Sequence, residues 1–188
     1  MTRGELLQLV CYVWMASELA LLILRRSKQR DQNRDSGSVV WLNLTIYGSL
    51  SLAIAFAVSG IGHLQHYFFL LPWIGLFLII VGLGIRWTAI LTLRRYFTVN
   101  VAIQSGQRVI KSGLYRFVRH PSYSGTILSF IGLALALANW ISIVVVLVPI
   151  SLAFAKRIQI EERAMTEAFG LEYSEYCRST WRMFPWIY

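Results

Sequence analysis

Two short polar segments hold the side chains best suited to chemistry. Residues 113–125 read GLYRFVRHPSYSG and supply Tyr115, Arg116, Arg119, His120, Ser122 and Tyr123. After an apolar stretch, residues 157–162 read RIQIEE and supply Arg157, Glu161 and Glu162. Ionisable groups at the feet of apolar spans are costly, which makes them functional candidates by default. Pro121 suits the first position of a helix because it needs no amide hydrogen there. The N–H groups that follow, with the helix dipole, would favour an anion such as a carboxylate or phosphate. Arg116, Arg119 and Lys111 add positive charge around that point. A capped helix start with basic anchors is the other reading of the same spacing. Glu161 and Glu162 offer acceptors for ribose hydroxyls or a ligand ammonium, or else simple salt-bridge partners. Arg157, one turn before Glu161, could hold a carboxylate through its two-pronged guanidinium.

The elements that must position these groups are apolar. The chain has 188 residues, 56% hydrophobic and 14% charged, with a mean hydropathy of +0.56. Soluble domains average about 45–50% apolar and about 25% charged, so the class is membrane protein. Apolar stretches run over 5–24, 39–61, 67–93, 122–138 and 140–155, against the roughly 20 residues that cross a bilayer as a helix. The last two, joined near Asn139, must form an antiparallel helical hairpin. The fifth helix is expected to continue past the membrane to Gly170, followed by a short helix carrying Tyr173, Tyr176 and Cys177. Weak alternation over 96–103 suggests extended chain. The expected fold is an all-α integral membrane protein with about five transmembrane helices, a cytoplasmic C-terminal helical extension and no Rossmann domain. Residues 1–93 would form a three-span membrane region, and 94–188 the cofactor-binding region with the hairpin and tail.

The net charge of +9 is confined to short segments. Apart from Arg3, every Lys and Arg falls within 25–34, 86–119 or 156–182. That is the positive-inside pattern, with contact to anionic membrane lipid, and no basic face for nucleic acid. Five crossings then place the N-terminus outside. The candidate site and the C-terminus face the cytoplasm of a cell inner membrane, with the turns near His63 and Asn139 opposite. Glu18 interrupts the first span and calls for a headgroup position or a partner such as Arg86. Gly75, Gly82 and Gly84 suit close helix packing, and without a preceding strand they are no dinucleotide fingerprint. His63 and His66 lack a third ligand, so no metal is expected. Cys11 and Cys177 imply no disulfide framework. There is no nucleophile elbow and no glycine-rich phosphate loop. The first stretch reads as a retained span, not a signal peptide, and no lipidation box ends the chain.

The residues Gly113 to Tyr115, Arg119 to Tyr123, Gly125, Arg157, Ile158, Glu161, Glu162, Phe169, Gly170, Glu172, Tyr173, Tyr176, Arg182 and Pro185 resemble the C-terminal signature of the isoprenylcysteine carboxyl methyltransferase family. That family overlaps with membrane phospholipid methyltransferases. The resemblance implies a helical membrane enzyme that uses S-adenosyl-L-methionine. His120, Pro121, Tyr123, Glu161 and Glu162 would line the cofactor pocket, with Tyr115 and Lys111 flanking it. Arg157 and Arg182 would act near the acceptor. The acceptor would be a lipophilic small molecule or prenylated substrate, foremost a carboxylate. A thiol or a phospholipid amine stays open, and an amine would make Glu162 the candidate base. Gln159 and Ile160 stand where the family pattern often carries further acids. An NADPH-dependent membrane reductase of sterol-like lipids and a non-catalytic membrane subunit are the competing classes, and no oligomeric state is legible.

Overall fold

The protein, seen here as a computed structural model, is described over residues 3–24, 37–64 and 69–186. Most of the basic linker expected after the first span, and His66, lie outside the described residues. Among the described residues six α-helices follow one another: α1 (Arg3–Leu24), α2 (Ser38–Ser59), α3 (Leu71–Leu93), α4 (Pro121–Ala136), α5 (Trp140–Phe169) and α6 (Leu171–Ser179). Four of them, α1, α2, α3 and α5, are long and apolar enough to cross a membrane. The expected fourth span is the exception. At 16 residues, α4 is about 24 Å long at a rise of about 1.5 Å per residue. The hydrocarbon core is about 30 Å thick. The apolar run predicts a helix as far as 138, but α4 ends at Ala136 and Leu137 to Asn139 turn the chain.

α4 compensates for its length by burial against α3, through backbone contact. Gly75 and Gly82 of α3 face Gly132 and Gly125 of α4. A Cβ on Gly82 would lie 2.5 Å from the Gly125 carbonyl oxygen, and one on Gly75 would lie 2.4 Å from that of Gly132. Small residues allow such an approach between helices that lipid does not drive together. Gly84, expected in the same seam, faces open space.

α5 runs for 30 residues and carries the chain from the apolar bundle into the polar end, where Gly170 at φ 53° stops it. At the other end the two turns interlock. Leu64 N–H donates to the Ala138 carbonyl at 2.9 Å and Trp140 N–H to the Gly62 carbonyl at 3.0 Å. Asn139, fully buried, caps α5 by accepting from Ser142 N–H at 3.0 Å and donates to the Ile61 carbonyl at 2.7 Å.

Beyond Tyr96 the 96–103 segment is non-helical, with Phe97 in extended conformation and a single bridge position at Ala102. A 3-10 turn at Arg94–Tyr96 leads into it; Thr98 Oγ1 donates to the Asn100 carbonyl, and the Val99 carbonyl accepts from Arg157.

The unmatched carboxylate of the first span finds the expected partner. Arg86 Nε and Nη2 each donate to Glu18 at 2.6 Å. Arg86 Nη1 reaches Ser122 Oγ at 3.1 Å and Thr126 Oγ1 at 2.7 Å on α4. One guanidinium thus joins α1, α3 and α4. Glu18→Gln should lower stability by about 1–3 kcal/mol, the cost of leaving a buried donor group unsatisfied. Thermal unfolding in detergent checks this, and pairing the change with Arg86→Met should recover part of the loss. Unchanged melting of Glu18→Gln would show that the pair contributes nothing.

Candidate functional site

The start of α4, the middle of α5, α6 and the 96–110 connection enclose a cavity of about 100 Å³. Its walls include Tyr115, Arg119, His120, Tyr123, Arg157 and Glu161, together with Tyr96, Val101, Gln107, Met165 and Tyr173. Two segments far apart in sequence meet here because the glycine seam holds α4 beside α3 while α5 returns across it.

A polar chain crosses the cavity wall. Tyr123 Oη donates to Glu161 Oε2 at 2.7 Å and accepts from Arg157 Nε at 3.1 Å. Arg157 is buried at 3% exposure. Its Nη1 donates to Ser38 Oγ at 2.7 Å and its Nη2 to the Val99 carbonyl. The guanidinium therefore ties the start of α2 and the connection to α4. Glu161 keeps about a third of its side chain exposed (35%), turned to the cavity.

His120 lies between the two adjacent acids. Its Nε2 is 3.3 Å from Glu162 Oε1 and its Nδ1 is 3.9 Å from Glu161 Oε2. Its ring stacks on Tyr123 with centroids 5.6 Å apart.

Glu162 turns away from the cavity and gathers cations. Arg119 Nε donates to it at 3.0 Å and Arg182 Nε at 3.0 Å. Arg119 Nη1 also donates to the carbonyls of Cys177, at 2.9 Å, and Thr180. The end of α6, the tail and α5 are thereby fastened to the residue before His120.

The C-terminal tail packs against the helix start. His120 N–H donates to the Arg182 carbonyl at 2.9 Å, Pro121 has no amide hydrogen, and Tyr123 N–H turns back to the His120 carbonyl at 3.0 Å. Ser124 Oγ donates to the Met183 carbonyl at 2.7 Å. The tail makes these contacts from about 60 positions away, a proximity that local spacing cannot reveal.

Of the residues singled out in the sequence, Tyr115, His120, Tyr123, Arg157 and Glu161 line one cavity. Pro121 is fully buried in the first turn of α4. Glu162 and Arg182 form the ion pair behind it. Lys111 reaches outward, 3.5 Å from Glu172, with about half its side chain exposed (48%). The apolar lining from Val101, Ala102 and Val109, all buried, carried no signal in sequence beyond a break in charge. Burial pushes the phenols of Tyr115, Tyr173 and Tyr176 well above their ordinary range. They therefore stay protonated at neutral pH, and Tyr176 donates to the Tyr115 carbonyl at 2.7 Å.

Similar proteins agree in kind. The Isoprenylcysteine carboxyl methyltransferase (ICMT) family profile matches residues 73–167. A probable protein-S-isoprenylcysteine O-methyltransferase of Oryza sativa subsp. indica is 34% identical over 126 residues, covering 66% of this chain and 65% of that protein. Protein-S-isoprenylcysteine O-methyltransferase A of Arabidopsis thaliana is 36% identical over 115 residues, covering 60% and 58%. The solved structure of a eukaryotic intramembrane Ras methyltransferase, an isoprenylcysteine carboxyl methyltransferase, matches with a TM-score of 0.60 and 28% identity, over 81% of this chain and 53% of that one. The chain thus spans less than two thirds of the length of each.

The two adjacent acids differ in what they hold, and their variants should differ accordingly. Glu162→Ala strands Arg119 and Arg182 and should cost about 1–3 kcal/mol. Glu161→Ala, which loses one phenol contact beside open cavity, should stay within about 1 kcal/mol of wild type. Parallel thermal melts in detergent compare them, and equal losses would remove the distinction.

Proposed function

The chain belongs to the isoprenylcysteine carboxyl methyltransferase family, and we propose that it methylates the carboxylate of a lipophilic, prenylcysteine-like acceptor. The donor in this reading is S-adenosyl-L-methionine, entering from the cytoplasmic side of a cell inner membrane. The division into a three-span region, 1–93, and a site-bearing region, 94–188, belongs to the same proposal. The observation that carries it is the convergence of Glu161, Tyr123, His120 and Arg157 on one cavity at the polar end of an apolar bundle. The relatives described above carry methyltransferase names, which leaves the nicotinamide reductase reading without support.

The lining suits a nucleoside with a charged amino-acid arm. Glu161, held by Tyr123, presents a carboxylate to ribose hydroxyls or an ammonium. Buried Val101, Ala102 and Val109 offer an apolar face to a base. When bound, the cofactor would supply an electrophilic methyl group. The acceptor carboxylate is already a nucleophile at neutral pH, so the protein's task is placement in line more than proton removal. Arg157 is assigned to the acceptor carboxylate in this reading, and its bonds to Tyr123 Oη and Ser38 Oγ fix the orientation of the guanidinium. Glu162 and Arg182 act in this reading as positioning residues. They fix His120 and the tail and do not touch the reactants.

The cavity of about 100 Å³ is smaller than the roughly 300–1,000 Å³ of most small-molecule sites. Binding in this reading therefore requires the cavity to widen, and the 97–110 segment is the wall outside the helices. Calorimetry with S-adenosylhomocysteine, with NADPH as comparison, tests the cofactor. Micromolar binding of the first alone is expected, about tenfold or more weaker in Glu161→Gln, in keeping with the loss of a charged hydrogen bond. Slower hydrogen exchange over 97–110 should accompany it. Binding of NADPH alone, or of neither, would overturn the proposal.

A further inference from the structure

We infer that a second basin, at the end of α3, binds the phosphodiester headgroup of an anionic membrane lipid. It measures about 860 Å³ and is walled by the last two turns of α3, Arg94, Arg95, Arg108, Ile110 and Ser112. All three arginines are exposed, and no carboxylate lines the basin among the described residues. Arg95 is braced on one side, with its Nη2 donating to Tyr96 Oη at 2.8 Å and its guanidinium 4.9 Å above the Tyr96 ring. That leaves its other N–H groups to the basin. Arg108 has no hydrogen-bond or ion-pair partner among the described residues.

Position selects the occupant. The basin lies where the apolar run 71–96 ends, the level of lipid headgroups. Leu91, 65% exposed, continues its wall along α3 toward the acyl region. A free phosphate would use the arginines and leave that apolar flank idle, whereas a lipid uses both. Basic pockets beside membrane helices bind anionic headgroups in this manner.

The basin also has a consequence for the neighbouring cavity, one that rests on the proposed function. Leu93, Tyr96, Arg108 and Ile110 line both spaces. A headgroup held by Arg95 and Arg108 would steady the connection that covers the cofactor site and tighten cofactor binding.

The test uses the whole protein in nanodiscs of phosphatidylcholine with a minority of phosphatidylglycerol, read by native mass spectrometry of retained lipid. Phosphatidylglycerol should be enriched over its bulk share, with retention about fivefold lower or more in Arg95→Gln/Arg108→Gln. The control Arg163→Gln/Arg178→Gln removes the same charge from exposed positions elsewhere and should retain the lipid. Added inorganic phosphate should not displace it. S-adenosylhomocysteine should bind more tightly with phosphatidylglycerol than without, and the double variant should lose that difference. Equal retention of the two lipids, equal loss in the control variant, or displacement by inorganic phosphate would each overturn the inference. Lipid retention is read without cofactor or acceptor, so its failure is separate from failure of methyl transfer.

Discussion

The charge on Glu162 must be compensated at the boundary between an apolar bundle and a polar cap, and much of the candidate site hangs on how that is done. Arg119 and Arg182 converge on it from opposite ends of the C-terminal region, and His120 Nε2 approaches the same carboxylate. Because Arg119 also bonds the carbonyls at the end of α6, the one carboxylate draws α5, α6, the tail and the start of α4 together. Half-satisfied networks of this kind cost more than apolar packing. Among the described residues no buried side-chain polar atom lacks a partner. The cavity lies on the other side of His120, and its geometry follows from this arrangement.

A second constraint lies inside the bundle. The α3–α4 seam brings backbones close enough that glycine is required on both sides at two levels. Arg86, one turn beyond Gly82, places its guanidinium against Ser122 and Thr126 in the first turns of α4. The helix that carries His120 and Tyr123 is thus set in depth by glycine contacts and in rotation by hydrogen bonds. Glu18 then fastens α1, which is otherwise mostly exposed to its surroundings, to the same guanidinium. A short α4 is tolerated because its polar groups are satisfied by protein, as nonspanning backbone in a membrane must be.

Hydropathy made the helices legible, since few other structures satisfy backbone groups in lipid. Glu18 could be matched with Arg86 in advance because an isolated acid in a span demands a cation. Gly75 and Gly82 were readable as packing residues, yet Gly84 carries the same letter and faces outward. Only the rotation of α3 tells them apart. Pro121 marks the start of α4 in the sequence, but the contacts of Arg182 with His120 N–H and of Met183 with Ser124 Oγ depend on the whole C-terminal fold. Glu161 and Glu162 look interchangeable as a pair. Adjacent positions on a helix point about 100° apart, so one meets the cavity and the other the arginines. Lys111 reaches Glu172, a pairing that its sequence position does not announce.

Family membership is shown by the profile match; transfer of a methyl group to the carboxylate of a lipid-embedded acceptor is the proposed reaction. The most direct measurement incubates the detergent-purified protein with S-adenosylmethionine carrying a labelled methyl group and a prenylcysteine with a free carboxylate. Label released as methanol by mild base, absent when the acceptor is already a methyl ester, is the predicted result. No transfer, or label that resists base and so sits on nitrogen or sulfur, would contradict it.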